Sequence, residues 1–409
     1  MAVKRIFLCA VFAILSGFSV YAKKNVQVVN YQPEFELNKV NRRLGYQLLD
    51  DGKIVFVFDS ARFGIKTPKR VFLEGSFNGW AKKNSGWELE KYKFSTWTYE
   101  CNLEDVMIPG NSGFPEFKFY VIAEVEYEVR IVEATSIRKK DEVMEPAMQN
   151  PFPGFQMSTN CLILLPSDNP QVVIENAKTA GKLKKLKSFN LENPADVAMI
   201  SNFRLVPGTT KLFRGYHPYK ISRPNYNTEE KRIALVNKQL KDNGIKSIIT
   251  LSGDESIDIK KEKISVYVSD IRQAGNQLFI DTHYNTVYYA SNSGEFGNMM
   301  AEVIRFVGSH PGPYYVHCRL GTDRTGVVST NLAALCGASW NEIASDYQRS
   351  NDMGIKEFRD YRLLQYSFEK MLGKKISEIE DLQKEISGYY LREKFITQAE
   401  LDSLLNNLK

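Results

Sequence analysis

The sequence predicts an α/β domain with a mainly parallel sheet and flanking helices, preceded by an N-terminal β-sandwich. Three observations carry this. Between 46 and 165, short apolar and aromatic runs alternate with turn residues, as in a sandwich of antiparallel strands. From 188 to 409, helical and strand patterns alternate, which implies a parallel sheet covered by helices. Between them the chain is punctuated by Pro146, Pro151, Pro153, Pro166 and Pro170, and the linker is placed at 166–187. A chain of 409 residues is also too long for one ordinary core.

The opening segment stands apart. Lys4 and Arg5 precede an apolar run from 6 to 20, and Val20-Tyr21-Ala22 offers small side chains where a signal peptidase reads. A signal peptide over 1–22 is expected, with cleavage near Ala22 and a secreted or periplasmic product. The alternative is a single membrane anchor, for which the run is short. No other stretch reaches spanning length, so no stable membrane insertion is expected. The net charge of +6 falls when Lys4 and Arg5 are removed. That mild balance argues against a dedicated nucleic-acid binder and suits anionic substrates. Cys101, Cys161, Cys318 and Cys336 remain after cleavage. Export permits disulfides, and Cys101 and Cys161 either pair or stand as two buried thiols.

In the first half, strands are expected at 53–58, 70–74, 97–101 and 116–121, separated by turns such as Asp50-Asp51-Gly52 and Pro109-Gly110-Asn111. In the second half, Asn227 with Glu230 resembles a capping box. Ile233, Val236 and Leu240 then keep helical spacing up to Gly244. Residues 245–251 and 264–268 read as short apolar strands. Residues 295–307 read as an amphipathic helix, with Phe296, Met299, Met300, Val303, Ile304 and Val307 on or near one face. Residues 313–316 read as a strand, and the chemistry sits at its end.

There the chain reads His317-Cys318-Arg319-Leu320-Gly321-Thr322-Asp323-Arg324-Thr325-Gly326. A loop from a strand's carboxyl end into a helix N-terminus turns backbone N–H groups into one concavity. Together with the helix dipole it binds a phosphate dianion. The same field favours the thiolate of Cys318, the nucleophilic form. Arg324, six residues on, offers a planar fork for two phosphate oxygens. Gly321 lets the backbone pass close to the anion. Thr325 is placed to donate its hydroxyl to the sulfur, and His317 to orient the loop by hydrogen bonding. Arg319, Leu320, Thr322 and Gly326 complete the candidate binding loop. His217, His283 and His310 stand at no ligand spacing from Cys318, so neither a metal nor another cofactor is expected.

This loop resembles the signature of the protein tyrosine phosphatase superfamily, His-Cys-x₂-Gly-x₂-Arg-Thr-Gly. The resemblance extends over about 188–409. Asn202-Phe203-Arg204, Phe213-Arg214-Gly215, the run 244–251, Asp346-Tyr347 with Ser350-Asn351, and Tyr389-Tyr390-Leu391-Arg392-Glu393 look like atypical bacterial members. It implies a cysteine-phosphatase fold and hydrolysis of a phosphorylated protein or small phosphomonoester through a phosphocysteine intermediate. Two positions depart. Thr322 stands where lipid-active members tend to have Lys, and Ser252-Gly253 follows the strand where Arg is usual.

The leaving oxygen needs a proton. Residues 286–294 contain no Asp or Glu, so two carboxyls are candidates. Asp323 lies in the loop, where the resemblance implies the general acid. Asp281 is the nearest upstream Asp. A purely structural role for Asp323, holding the loop by hydrogen bonds, is the third reading.

In the first half, residues 71–80, ending in Gly75-Ser76-Phe77-Asn78-Gly79-Trp80, resemble the early-set sandwich of family-48 carbohydrate-binding modules and the AMP-activated kinase β subunit. The resemblance implies Trp80 as a stacking platform for a glucan. The second platform of those modules is missing or replaced by Tyr127, and Trp87 and Trp97 are also explained as core. Packing or a protein partner is the alternative for this half. For the whole chain, the alternatives to a phosphomonoester hydrolase are a glucan phosphatase and a catalytically idle binder of a phosphorylated ligand.

Overall fold

The computed structural model describes residues 28–29, 45–49, 51–61, 65–110, 113–123, 126–129, 160–163, 165, 183–223, 226–253 and 264–409. The expected signal segment and residues 166–182 of the expected linker lie outside these. The chain divides into two compact units, the second of which takes in Lys178–Lys409. Residues 183–187, read from sequence as linker, pack on this second unit. Leu183 bridges Ile355, and the Lys184 N–H donates to the Gly354 carbonyl at 2.9 Å.

The first unit is antiparallel throughout. Its strands are β1 (Val28–Val29), β2 (Tyr46–Leu49), β3 (Lys53–Asp59), β4 (Arg70–Gly75), β5 (Glu88–Lys93), β6 (Thr96–Asn102), β7 (Glu116–Ile122), β8 (Glu126–Val129) and β9 (Cys161–Leu162). All four strands expected from sequence are present. The expected two sheets, however, are joined into one path, β1-β2-β3-β6-β5-β4-β7-β8, with β9 on β7. β5 pairs with β6 on one side and β4 on the other, which stitches the halves together. Phe56 meets Phe117 at 5.0 Å and Phe58 meets Phe119 at 5.3 Å between ring centroids. β3 therefore faces β7 although they are not neighbours in the path, so the sheet curls about its own core. Alternate residues Ile54, Phe56, Phe58 and Phe117, Phe119, Val121 fill that core, as the two-residue period of a strand requires. Trp97 is buried among them, and Trp87 packs between Phe77 and Tyr99.

The second unit holds a five-stranded sheet in the order β10-β11-β14-β12-β13. These are β10 (Arg204–Leu205), β11 (Leu212–Gly215), β12 (Ser247–Thr250), β13 (Gln277–Phe279) and β14 (Tyr314–His317). Only the β10–β11 pair is antiparallel; the other pairs are parallel. Side chains leave the central strands alternately to two cores. Tyr315 and Ile248 join one, with α2 (Glu229–Asp242) and α3 (Val266–Gln273). Tyr314, Val316 and Ile249 join the other, with α5 (Gly294–Ser309) and α6 (Asp323–Leu335). Both faces are covered, which is why these strands read as unbroken apolar runs. All six residues assigned to the buried face of α5 lie in the second core.

Two sequence expectations need correction. Residues 264–268 are not a strand but the entry to α3. The Ser265 hydroxyl accepts the Val268 N–H, and Val268 and Ile271, three apart, are buried. A short apolar run is ambiguous between the two periods, and the strand falls later, at β13. The capping box at Asn227 is also absent. α2 starts at Glu229, with Thr228 making no side-chain cap, because Glu229 is turned inward. Its carboxylate accepts from the Tyr216 hydroxyl and from the Ser222 and Arg223 N–H groups.

The remaining helices are α1 (Pro194–Ser201), α4 (Tyr284–Tyr289), α7 (Trp340–Gln348), α8 (Tyr361–Leu372), α9 (Leu382–Arg392) and α10 (Gln398–Leu408). Among the described residues, no helix is long and apolar enough to cross a membrane.

Candidate active site

β14 lies between β11 and β12, and its last residue, His317, is in register with Gly215 and Thr250. Cys318 follows at the carboxyl end of this central strand, where parallel sheets leave a crevice. It is 3% exposed. Five residues later the chain enters α6, so Cys318 lies beneath a helix N-terminus, a region of positive partial charge.

The carbonyls of the loop are held from outside. The Cys318 carbonyl faces His317 Nδ1 at 3.1 Å. The Arg319 carbonyl accepts from the Ser222 hydroxyl at 3.3 Å and the His217 N–H at 3.4 Å. The Leu320 carbonyl accepts from Asn202 Nδ2 at 3.1 Å, and the Gly321 carbonyl from Arg214 Nη2 at 2.8 Å. A peptide plane whose oxygen points outward turns its N–H inward. The ring of outward carbonyls thus leaves N–H groups facing the concavity, a nest for an anion. Gly321 has φ +76°, and a Cβ there would lie 2.1 Å from the Gly215 carbonyl oxygen. Only glycine fits.

His317 is buried and its tautomer is set by its neighbours. A carbonyl can only accept, so Nδ1 carries the proton, and Nε2 accepts from the Thr250 hydroxyl at 2.9 Å. Gln277 donates in turn to Thr250 at 2.9 Å. The imidazole therefore serves the loop's geometry. Leu320 packs into the apolar cluster with Tyr216 and Tyr315, so the site has only its backbone. Arg319 is exposed, and Thr322 is buried at the start of α6. Gly326 faces the Tyr347 ring, 2.9 Å from where a Cβ would stand.

Burial alone raises a thiol's pKa. At Cys318 the Arg324 guanidinium, the Thr325 hydroxyl and the Thr325 N–H outweigh burial and hold the thiol below its ordinary value, with Asp323 opposing. The Thr325 hydroxyl is buried, and its interaction with the Cys318 thiol favours the thiolate. By contrast, burial pushes Cys336 up to about 11 and Cys101 up to about 12. Cys101, Cys318 and Cys336 are free thiols, so Cys101 does not pair with Cys161.

Arg324 donates to the Thr282 carbonyl at 3.1 Å. This brings the loop between β13 and α4, with exposed Asp281 on it, to the border of the site. Asp323 is held differently. It accepts from Arg359 Nε at 2.7 Å and Nη2 at 3.3 Å, and from the Tyr288 hydroxyl at 3.1 Å. Sequence reasoning missed Arg359 and Tyr288. Arg359 lies 36 residues from Asp323, and nothing local connects them. Beneath the loop, Asp346 pairs with Arg204 and Arg214. Burial works against its charge, but the two guanidiniums more than offset this and hold its carboxyl below the ordinary range. Among the described residues no group of His, Cys, Asp and Glu side chains is placed to hold a metal ion. Trp80 belongs to the first unit. It is half-buried with φ +61°, and the Lys118 ammonium stands 5.8 Å from its ring centroid.

The second unit thus places the Cys318 thiol at the carboxyl end of the central strand of a mainly parallel sheet. Residues 221–408 match the family model described as the tyrosine phosphatase family. Comparison with curated proteins finds no match. Among solved structures the chain is similar to the core catalytic domain of the PP-IP phosphatase SIW14 from S. cerevisiae in complex with citrate. The identity is 16%, over 48% of this chain and 94% of that chain, with a TM-score of 0.26.

Proposed function

We propose that this chain is a cysteine-dependent phosphomonoester hydrolase. The observation that carries the reading is the Cys318 thiol, held below its ordinary pKa by Arg324 and Thr325 in a loop whose carbonyls are turned away. The Cys318 thiolate attacks phosphorus, and the bond from phosphorus to the ester oxygen breaks. That oxygen leaves with a proton from a carboxylic acid at the site. The loop N–H groups and Arg324 hold the three non-bridging oxygens as charge builds on them. Water then attacks the phosphocysteine and releases inorganic phosphate and the thiolate, which Thr325 stabilises as it leaves. Every step uses groups of the chain, substrate and water.

The substrate class is a phosphorylated protein or a small phosphomonoester. The glucan-phosphatase reading rests on Trp80, whose ring already carries Lys118. Retention on immobilised starch is its direct test. Export after cleavage near Ala22 belongs to the same proposal, and N-terminal sequencing of the mature chain checks it. The hydrolase itself is tested with an aryl phosphate in the presence of a chelator. Wild type is expected to turn over and Cys318→Ser to be inactive. Activity in Cys318→Ser, or activity only with added metal, would overturn the mechanism.

A further inference from the structure

We infer that Ser222 and Glu229 are positioning residues for the anion-binding loop. Glu229 fixes the backbone of Ser222, and the Ser222 hydroxyl holds the Arg319 carbonyl outward, so that the Leu320 N–H faces the bound phosphate. The inference deepens the hydrolase reading above and rests on the loop that carries it.

The Arg319 carbonyl and the Leu320 N–H belong to one peptide plane, and in a trans peptide they point in opposite directions. Whatever anchors the oxygen therefore aims the N–H. That oxygen accepts from the Ser222 hydroxyl at 3.3 Å and from the His217 N–H at 3.4 Å. Both donors come from residues 216–223, the segment that follows β11. The next two carbonyls of the loop are held from elsewhere, by Asn202 and Arg214. The Arg319–Leu320 peptide is thus only as well placed as the segment 216–223.

Glu229 fixes that segment. It is the first residue of α2 and is 2% exposed. Its Oε2 accepts from the Tyr216 hydroxyl at 2.7 Å and from the consecutive Ser222 and Arg223 N–H groups at 3.0 and 2.9 Å. The three donors lie at the two ends of the segment, so one oxygen draws both ends together. Burial, helped by the Glu229 charge, holds the Tyr216 phenol above its ordinary range, and it stays a donor. Glu229 Oε1 faces Arg232 Nε at 3.4 Å, and Arg232 is wholly buried. Arg232 in turn donates to the Ile200 carbonyl and, at 3.3 Å, to the Met353 carbonyl. The carboxylate is therefore tied to the body of the unit. A buried charge costs stability even when paired, and a helix start needs no inward carboxylate. Its placement is explained by what it orders: Ser222, 5% exposed, with its hydroxyl against the loop.

The test uses the full chain as wild type, Ser222→Ala, Glu229→Gln and the double variant. Cys318 is alkylated with iodoacetamide at fixed pH under rising inorganic phosphate, and the phosphate concentration giving half protection is read. This readout needs no turnover. The kcat/KM on nitrophenyl phosphate is measured alongside. Ser222→Ala should raise the half-protection concentration roughly tenfold, the effect of leaving a buried carbonyl short of a donor, and lower kcat/KM by a similar factor. Glu229→Gln should move both in the same direction. The two losses should be less than additive in the double variant, because both act on one peptide. A Ser222→Ala protein protected at the wild-type concentration overturns the inference. So does a Glu229→Gln protein that loses stability to denaturant while its protection stays at wild type, and so do losses that add in full. If Glu229→Gln does not fold, Ser222→Ala decides. A wild type that phosphate protects but that turns over no ester removes the hydrolase reading and leaves the protection series to decide this inference. A wild type that phosphate does not protect at all overturns the inference.

Discussion

Arg214, wholly buried, donates to Asp346 at 2.8 Å and to the Gly321 carbonyl at 2.8 Å. One guanidinium thus ties the signature loop to the end of α7. Removing Arg214 leaves Asp346 its pair with Arg204 but takes the donor from the buried Gly321 carbonyl, at a cost of about 1–3 kcal/mol. Arg214→Met should therefore lower stability by about this amount. Denaturant unfolding of wild type and variant measures it, and kcat/KM should fall in whatever fraction remains folded.

Gly321→Ala asks the loop to accept a Cβ at φ +76° and 2.1 Å from the Gly215 carbonyl oxygen. That contact is with backbone, so no side chain can move aside. The loop must open, and with it the concavity. The expected loss is roughly 10²-fold or more in kcat/KM, with Cys318 still present to a thiol titration.

The Cys318 thiol is held below its ordinary value chiefly by Arg324, against burial. Alkylation by iodoacetamide should follow a pH curve with its midpoint below about 8.5, the free thiol value. Arg324→Met should move that midpoint upward, slowing alkylation near pH 6.5 by roughly tenfold for each unit moved. The sign for stability follows from the depressed value. Relative to Cys318→Ser, wild type gains stability as pH rises from the folded midpoint toward about 8.5, and loses that gain as pH falls through the midpoint.

Asp281 is the second candidate for the proton donor, beside Asp323. It is exposed, one residue before the Thr282 carbonyl that holds Arg324. Asp281→Asn should cost roughly 10²–10⁴-fold on a phosphotyrosyl peptide, much less on an activated aryl phosphate, and should abolish the alkaline limb. An equal loss on both substrates would remove Asp281 from this role.

What the sequence by itself determined here is local. Cys318, Gly321, Arg324 and Thr325 lie within eight residues between a strand and a helix, so spacing alone marks them out as one candidate loop. The buried face of α5 and the four β-strands of the first unit were legible for the same reason: their periodicity is written in adjacent residues. Only the tertiary structure decided the rest. Residues 264–268 satisfied both periods, and packing on the sheet chose the helix. The capping box expected of Asn227 and Glu230 did not form, and the helix instead opens at Glu229, which binds Tyr216, 13 residues away. The expected pair of sheets became one path because β5 found two partners. Asp323 is held by Arg359, and the hold on Gly321 depends on Arg214 and Asp346, contacts that span 36 to 132 residues. A carboxylate's chemistry is set by what lies within about 4–6 Å of it, and for these residues the chain brings that neighbour close only by folding.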